Sequence, residues 1–157
     1  MIFDRSDDAE LSEAQDFSPD PRVSAALDEL DIPYNYDPAT GRFEVLCQLK
    51  NDRSQAVFID SKTNDFMGIK LREISSPALE SDKPFDSRTT NLLLRDNAEL
   101  IHGDWCIHMN DDSSKHFAVF SLAALASAEP EPLWGMIQCV AEVADEMENR
   151  LSGLDEF

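Results

Sequence analysis

Glycine is scarce in this sequence of 157 residues, and long apolar runs are missing. With 5 glycines the chain has little material for a glycine-rich loop of the kind that cradles phosphate groups. The signatures G-x-S-x-G, G-x-x-x-x-G-K-S/T, G-x-G-x-x-G and H-E-x-x-H do not occur. No apolar run approaches the ~18 residues of a membrane-spanning helix. These absences predict a protein that is not an enzyme, holds no cofactor and does not cross a membrane.

Cysteine is also rare. The 3 cysteines, Cys47, Cys106 and Cys139, are odd in number, lie far apart and form no C-x-x-C pair. That spacing argues against a disulfide framework and fits a reducing compartment. The first residues, "MIFDRSDDAELSEAQDFSP", are too acidic and too little apolar for a signal or transit peptide. Both observations predict a cytoplasmic protein.

Basic residues are outnumbered: 13 Lys and Arg face 32 Asp and Glu, which gives a net charge of −19. Such a field repels phosphate backbones and anionic headgroups, so we expect no direct binding to nucleic acid or membrane. It attracts basic segments of other proteins. An alternative is that the charge only keeps the chain dissolved, for example in a salty cytoplasm.

Three parts of the chain differ in composition. Residues 1–19 carry six acids against one arginine, with scattered apolar residues, and indicate a mobile acidic tail. Residues 20–152 have the apolar content of one folded domain, and 153–157 form a C-terminal tail. We expect the acidic tail to be dispensable for folding, because it offers too little apolar burial to offset its ordering entropy.

The first half of the domain predicts a helix and then strands. Asp20 and Pro21 form a helix start, an acceptor at the cap followed by a residue with a suitable φ, and the helix should stop at "DIP". Strands follow at residues 34–36 and 43–49 around the turn "DPATG", then at "QAVFID" and "FMGIKLREI". Alternation within 43–49 places Phe43, Val45, Cys47 and Leu49 on one face.

The second half predicts a loop, a helix, a hairpin and a last helix. Pro77 and Pro84 indicate the loop, and Asp86 or Ser87 can cap the helix that carries Leu92, Leu93 and Leu94. "LIHGDWCIHM" and "KHFAVFSLA" form the hairpin, and Pro130 precedes the last helix. The fold class is therefore α+β: a single antiparallel sheet of about five strands with helices packed on it, in the order α-βββ-α-ββ-α.

The last helix, residues 131–151, has the longest regular pattern in the chain. Trp134 lies on one side of its apolar line, and Met136 and Val143 widen it on the other. This stripe is broader than the ~100° that docking on a sheet uses. The surplus is either core under a neighbouring loop or an exposed contact patch. The apolar line itself consists of Leu133, Ile137, Val140, Ala144, Met147 and Leu151.

Four residues with metal-binding side chains share parity in one predicted strand: His102, Asp104, Cys106 and His108. Imidazole, thiolate and carboxylate are ligands for zinc or other transition metals. Alternate side chains of a strand are ~6.6 Å apart and run parallel, so a second element would have to complete such a site. A solvated outer strand face explains the same residues without further assumptions, and we therefore predict no metal.

The order of elements, in a small acidic chain, resembles the type III secretion chaperone-like fold, and within it the YbjN-like bacterial families. The stretches that carry the resemblance are "DPRVSAALDELDIPYNYDPATGRFEVL", "TTNLLLRDNAELIHGDWCIHM" and the final amphipathic helix. It covers roughly residues 20 to 152. The resemblance implies a non-enzymatic protein that forms homodimers and binds segments of other proteins.

These observations predict a cytoplasmic chaperone or adaptor that recognises a segment of a partner protein, by strand addition or in apolar pockets. Trp134, Met136 and Trp105 are the candidate partner-binding residues, because tryptophan and methionine combine a large contact area with adaptable packing. The alternative is an acidic decoy, whose carboxylates imitate a polyanion and occupy a basic nucleic-acid-binding protein. An enzyme with a site assembled across elements ranks third.

Overall fold

The computed structural model describes residues 17–110 and 113–152. In these residues the chain forms three α-helices and one antiparallel sheet of seven strands, which confirms the α+β class. The helices are α1 (Pro21–Glu29), α2 (Ser87–Asn97) and α3 (Pro130–Ser152). The strands are β1 (Asn35–Asp37), β2 (Arg42–Gln48), β3 (Ser54–Asp60), β4 (Asn64–Phe66), β5 (Ile69–Ser81), β6 (Asp104–Asn110) and β7 (Lys115–Leu125).

The sheet runs in the order β1-β2-β3-β5-β7-β6, with β4 paired to β5 outside this path. Helix α3 packs across β3, β5 and β7, while α1 packs on α3 and α2 packs on β6. Alternate side chains of the strands fill the space between sheet and helices. This core includes Phe43, Val45, Ile59, Ile74, Phe120 and Leu122.

The periodicity of α3 is confirmed by its burial. All six residues of the predicted apolar line are buried, and Ala141 joins them. Trp134, Met136 and Val143 are half-buried against the same core. Cys139 is exposed, because its position on the helix turns it away from the sheet.

Helix α1 begins at the predicted cap, where Asp20 accepts a hydrogen bond from the Arg22 backbone. It ends at Glu29, before the "DIP" stop. The Ile32 N–H donates to the Leu27 carbonyl at 2.9 Å, and Asp31 lies in the left-handed region with φ 54°. This is a Schellman cap, which turns the chain before the proline is reached.

The predicted strand "FMGIKLREI" is interrupted by a tight hairpin. Met67 and Gly68 both have positive φ, 52° and 83°, and Phe66 pairs with Ile69 across them. Two central residues at positive φ make a type I′ turn, whose twist matches the flanking strands. This hairpin adds one strand, β4, to the predicted ones, and β4 shares only Phe66 with the predicted strand.

Pro77 lies inside β5, so the loop predicted around it was wrong. The Pro77 carbonyl accepts a hydrogen bond from the Gln55 side chain of β3, and pairing of β3 with β5 reaches only Ser75. The N–H and C=O of one strand residue point to the same side. The side of Pro77 that lacks an N–H therefore faces β3, beyond the last residues that pair β3 with β5. The hydrogen bonds between β5 and β7 are retained, and only their register shifts after Pro77.

Residues 1–16 of the predicted acidic tail lie outside the described residues, as do 153–157. Phe17 belongs to the folded part. Its carbonyl accepts a hydrogen bond from the Tyr36 hydroxyl at 2.6 Å, and its N–H donates to the Pro38 carbonyl. An added Cβ at Gly41 would come within 2.8 Å of the Phe17 side chain, so glycine there permits this close approach.

The side chain of Arg72 is fully buried and joins three elements. It donates to the Asp60 carbonyl at the end of β3 and to the Ala126 carbonyl after β7. It also forms an ion pair of 2.8 Å with Asp20, the cap of α1. Arg72 therefore ties the start of α1 and the approach to α3 to one end of the sheet.

We expect Arg72→Ala to lower the free energy of unfolding by about 3–5 kcal/mol, because it removes one partner of a buried ion pair. Lys70→Ala is the matched control, since the ion pair of Lys70 with Asp65 is exposed and such pairs contribute about 0–1 kcal/mol. Denaturant unfolding measures both variants. Equal losses would contradict the role given to Arg72.

The hydrogen bonds from Arg22 and Arg72 hold the pKa of Asp20 well below its ordinary value. Asp20 therefore contributes stability at pH values above the unfolded-state pKa of about 3.9, and this contribution is lost as the pH falls towards the folded-state pKa. We expect the stability difference between the wild type and Asp20→Asn to be constant near neutral pH and to shrink below about pH 4. Urea unfolding of both chains across pH measures it, and a difference that grew in acid would refute the assignment.

Candidate functional site

One stretch of sheet edge is left open because β1 is short. β1 pairs with β2 only as far as Glu44, whereas β2 continues to Gln48. The Leu49 N–H donates to the Arg53 carbonyl on the β3 side, and the peptide groups of successive strand residues point to opposite sides. The N–H and C=O groups of Leu46 and Gln48 therefore point away from β3. In residues 17–110 and 113–152 no strand pairs with them there.

The local sequence explains why β1 stops. Asn35 pairs with Glu44, so two residues earlier Pro33 would face Leu46. Proline has no N–H to donate to a ladder, and Asp31 already belongs to the left-handed cap of α1. The chain before β1 therefore cannot continue the pairing, and the second half of β2 stays an open edge.

A groove of about 760 Å³ lies along this open edge. One wall is the chain after α1, with Ile32 and Pro33, and the floor is the end of β2. The other wall is α3, which contributes Trp134, Gln138 and Glu142. Free peptide groups next to apolar walls are what strand addition requires, since the main chain supplies affinity and the walls supply specificity.

An ion pair closes one end of the groove. Arg53, in the turn between β2 and β3, donates to Asp145 of α3 at 2.5 Å and lies 3.6 Å from Glu148. This contact spans 92 positions of the chain and fixes the turn against the helix. Arg53 neutralises the charge of Asp145. The remaining charged residues that line the groove are two acids, Asp31 and Glu142, and one base, Lys50.

The thiol of Cys47 also lines the groove, but it is not activated as a nucleophile. Burial raises the pKa of Cys47 to about 11. At neutral pH this side chain is a protonated thiol, and the thiolate is the reactive form of cysteine. Cys47 therefore acts as a small apolar residue of the groove floor.

The three candidate partner-binding residues lie in different places. Trp134 is half-buried and lines the groove beside β2. Met136 is half-buried on the other side of the same helix. Trp105 is 5% exposed, packs on Phe120 and donates its indole N–H to Asp96. Trp105 therefore has almost no surface left for a partner, because its ring packs on Phe120 and its indole N–H is bonded to Asp96.

The four potential metal ligands are not brought together as one set. The strand begins at Asp104, after Gly103 with φ 86°, so His102 precedes it and approaches the Ala123 carbonyl. Cys106 and His108 do share a face, with 3.2 Å between Sγ and Nε2. Within the described ranges no group of three or more His, Cys, Asp or Glu side chains is arranged to hold a metal ion. All three cysteines are free.

No family model matches this chain, and no curated protein matches it. Among the described helices none is both long and apolar enough to cross a membrane.

Sequence reasoning singled out Trp134, which lines the groove, but missed the open edge beside it. The available signal was Pro33, placed directly before a short predicted strand. Its effect depends on the register of β1 against β2, which places Pro33 opposite Leu46 and which the sequence alone does not reveal.

Trp134 and Ile137 should respond differently to truncation. Ile137 is fully buried, so Ile137→Ala should leave a cavity and lower the free energy of unfolding by about 2–5 kcal/mol. Trp134→Ala should lower the free energy of unfolding much less, because the Trp134 ring borders a groove that is open to solvent. Denaturant unfolding compares them, and equal losses would mean that the whole stripe is core.

Proposed function

We propose that the protein is a cytoplasmic, non-enzymatic chaperone or adaptor that binds an extended segment of a partner protein along the open edge of β2. The observation that carries the proposal is the pair of outward-facing peptide groups at Leu46 and Gln48, next to the groove. A bound segment adds a strand there, and its alternate side chains enter the groove against Trp134.

The charge of the groove indicates the composition of the segment. Asp31 and Glu142 line it against Lys50, within a chain of net charge −19. Lysine or arginine on the incoming strand would be attracted over long range and would then pair locally. The proposed ligand is therefore an extended segment that alternates apolar and basic residues.

The resemblance to the type III secretion chaperone-like fold and the YbjN-like families supports the same proposal. It implies segment binding and homodimer formation, and the observed helix and sheet order is compatible with it. Fold alone does not decide function, so the weight rests on the open edge and the groove.

The test uses the full chain and a display library of random nonapeptides. The best binder should lose about tenfold or more in affinity with Gln48→Pro, because proline removes an outward N–H while the ladder with β3 is unaffected. Gln48→Thr, which changes the side chain and retains the N–H, is the matched control and should bind normally. Trp134→Ala should also weaken binding. Calorimetry measures each Kd.

Failure to select a peptide, or equal affinity for Gln48→Pro and Gln48→Thr, would contradict the proposal. Salt separates it from the acidic decoy, which the net charge of −19 favours. A strand held by main-chain bonds and apolar contacts keeps most of its affinity near 1 M NaCl, where the Debye length is about 3 Å. Affinity that collapses with salt and ignores Gln48→Pro would instead support the decoy.

A further inference from the structure

A second groove, with a volume of about 960 Å³, lies between α2 and the end of α3. Helix α2 packs on β6, which is at the opposite end of the sheet from β1 and β2. The two grooves are therefore separate surfaces. The residues that line this one are Arg88, Asn91, Leu92, Leu94, Arg95, Ala98 and Arg150.

Its charge is opposite to that of the molecule. Three of the 13 basic residues line this groove, and none of the described residues that line it is an acid. Arg150 is held by Asp96 of α2 at 2.9 Å. In the part of the chain that the structure describes, Arg95 makes no ion pair. The groove therefore offers unused guanidinium donors for carboxylates.

Apolar side chains accompany these donors. Leu94 is 65% exposed, and Leu92 lies on α2 between Arg88 and Arg95, which are seven positions apart and so share one face. A ligand that matches this surface carries both carboxylates and large apolar groups.

A free acidic peptide is a poor candidate for the ligand, because the net charge of −19 repels it. For a segment of the same chain a short tether offsets this repulsion, since it gives the segment an effective concentration in the millimolar range. Residues 153–157, "GLDEF", combine two acids with Leu154 and Phe157. They begin directly after Ser152, two positions beyond Arg150 of the groove wall.

The reach is sufficient. The ion pair of Arg150 with Asp96 places the end of α3 at the end of α2. Five extended residues span about 17 Å, and the distance along α2 from Ala98 back to Arg88 is about 15 Å at 1.5 Å per residue. The segment can therefore pass along the whole groove.

We propose that the groove between α2 and α3 is a docking site for residues 153–157 of the same chain. Asp155 and Glu156 pair with Arg95 and Arg88, and the two apolar side chains cover Leu92 and Leu94. This site is independent of the partner-binding edge of β2.

Amide hydrogen exchange of the full chain tests the proposal. The amides of 154–157 should exchange at least about tenfold more slowly than in an unstructured chain. Arg95→Glu should remove this protection, and a second change, Asp155→Arg, should restore part of it. Lys83→Glu is the matched control, because it makes the same charge change at an exposed lysine outside the groove and should leave protection unchanged.

Protection in the wild type should also fall in high salt, which tests the charge pairing without any variant. Exchange at unstructured rates in the wild type would overturn the proposal. Protection that is equal in Arg95→Glu and Lys83→Glu, or that rises with protein concentration, would overturn it as well. Protection that rises with protein concentration would mean that the segment binds to a second copy of the chain.

Discussion

The buried guanidinium of Arg72 is the contact on which the arrangement of the helices depends. It binds the end of β3, the cap of α1 and the chain before α3 at the same time. A charge in this position is stable only while all its partners stay in place, because an unpaired buried charge is far more costly than an unpaired neutral group. Arg72 therefore selects one relative position of α1, α3 and the sheet.

The groove beside β2 depends on that selection. Its walls come from the chain after α1, with Ile32 and Pro33, and from the first turns of α3, with Trp134. Both helices start near Arg72, and Arg53 fixes the far end through Asp145. Two ion pairs thus fix the position of the helices beside the groove, and such preorganisation lowers the entropic cost of binding an extended segment.

Local signals in the sequence were sufficient for the helices. The caps at Asp20 and Asp86 and the apolar line of α3 depend on neighbours within one or two turns. The sheet needed more. Whether Pro77 ends a strand depends on which neighbouring strand the side without an N–H faces. The ion pair of Arg72 with Asp20 joins residues 52 positions apart, so no local pattern predicts it. The open edge depends on the register of β1 against β2, and the burial of Trp105 depends on its packing on Phe120 of the neighbouring strand.

The open edge of β2 also has a consequence for the chain in isolation. An unpaired strand edge accepts any complementary strand, including the same edge of another copy, which is how sheet proteins join into aggregates. Here the edge carries no lysine or proline of its own within Arg42–Gln48 to prevent this. Colloidal repulsion by the net charge of −19 provides the protection instead. Repulsion between copies is strongest where the carboxylates stay ionised, so we expect self-pairing of this edge to be weakest at neutral pH.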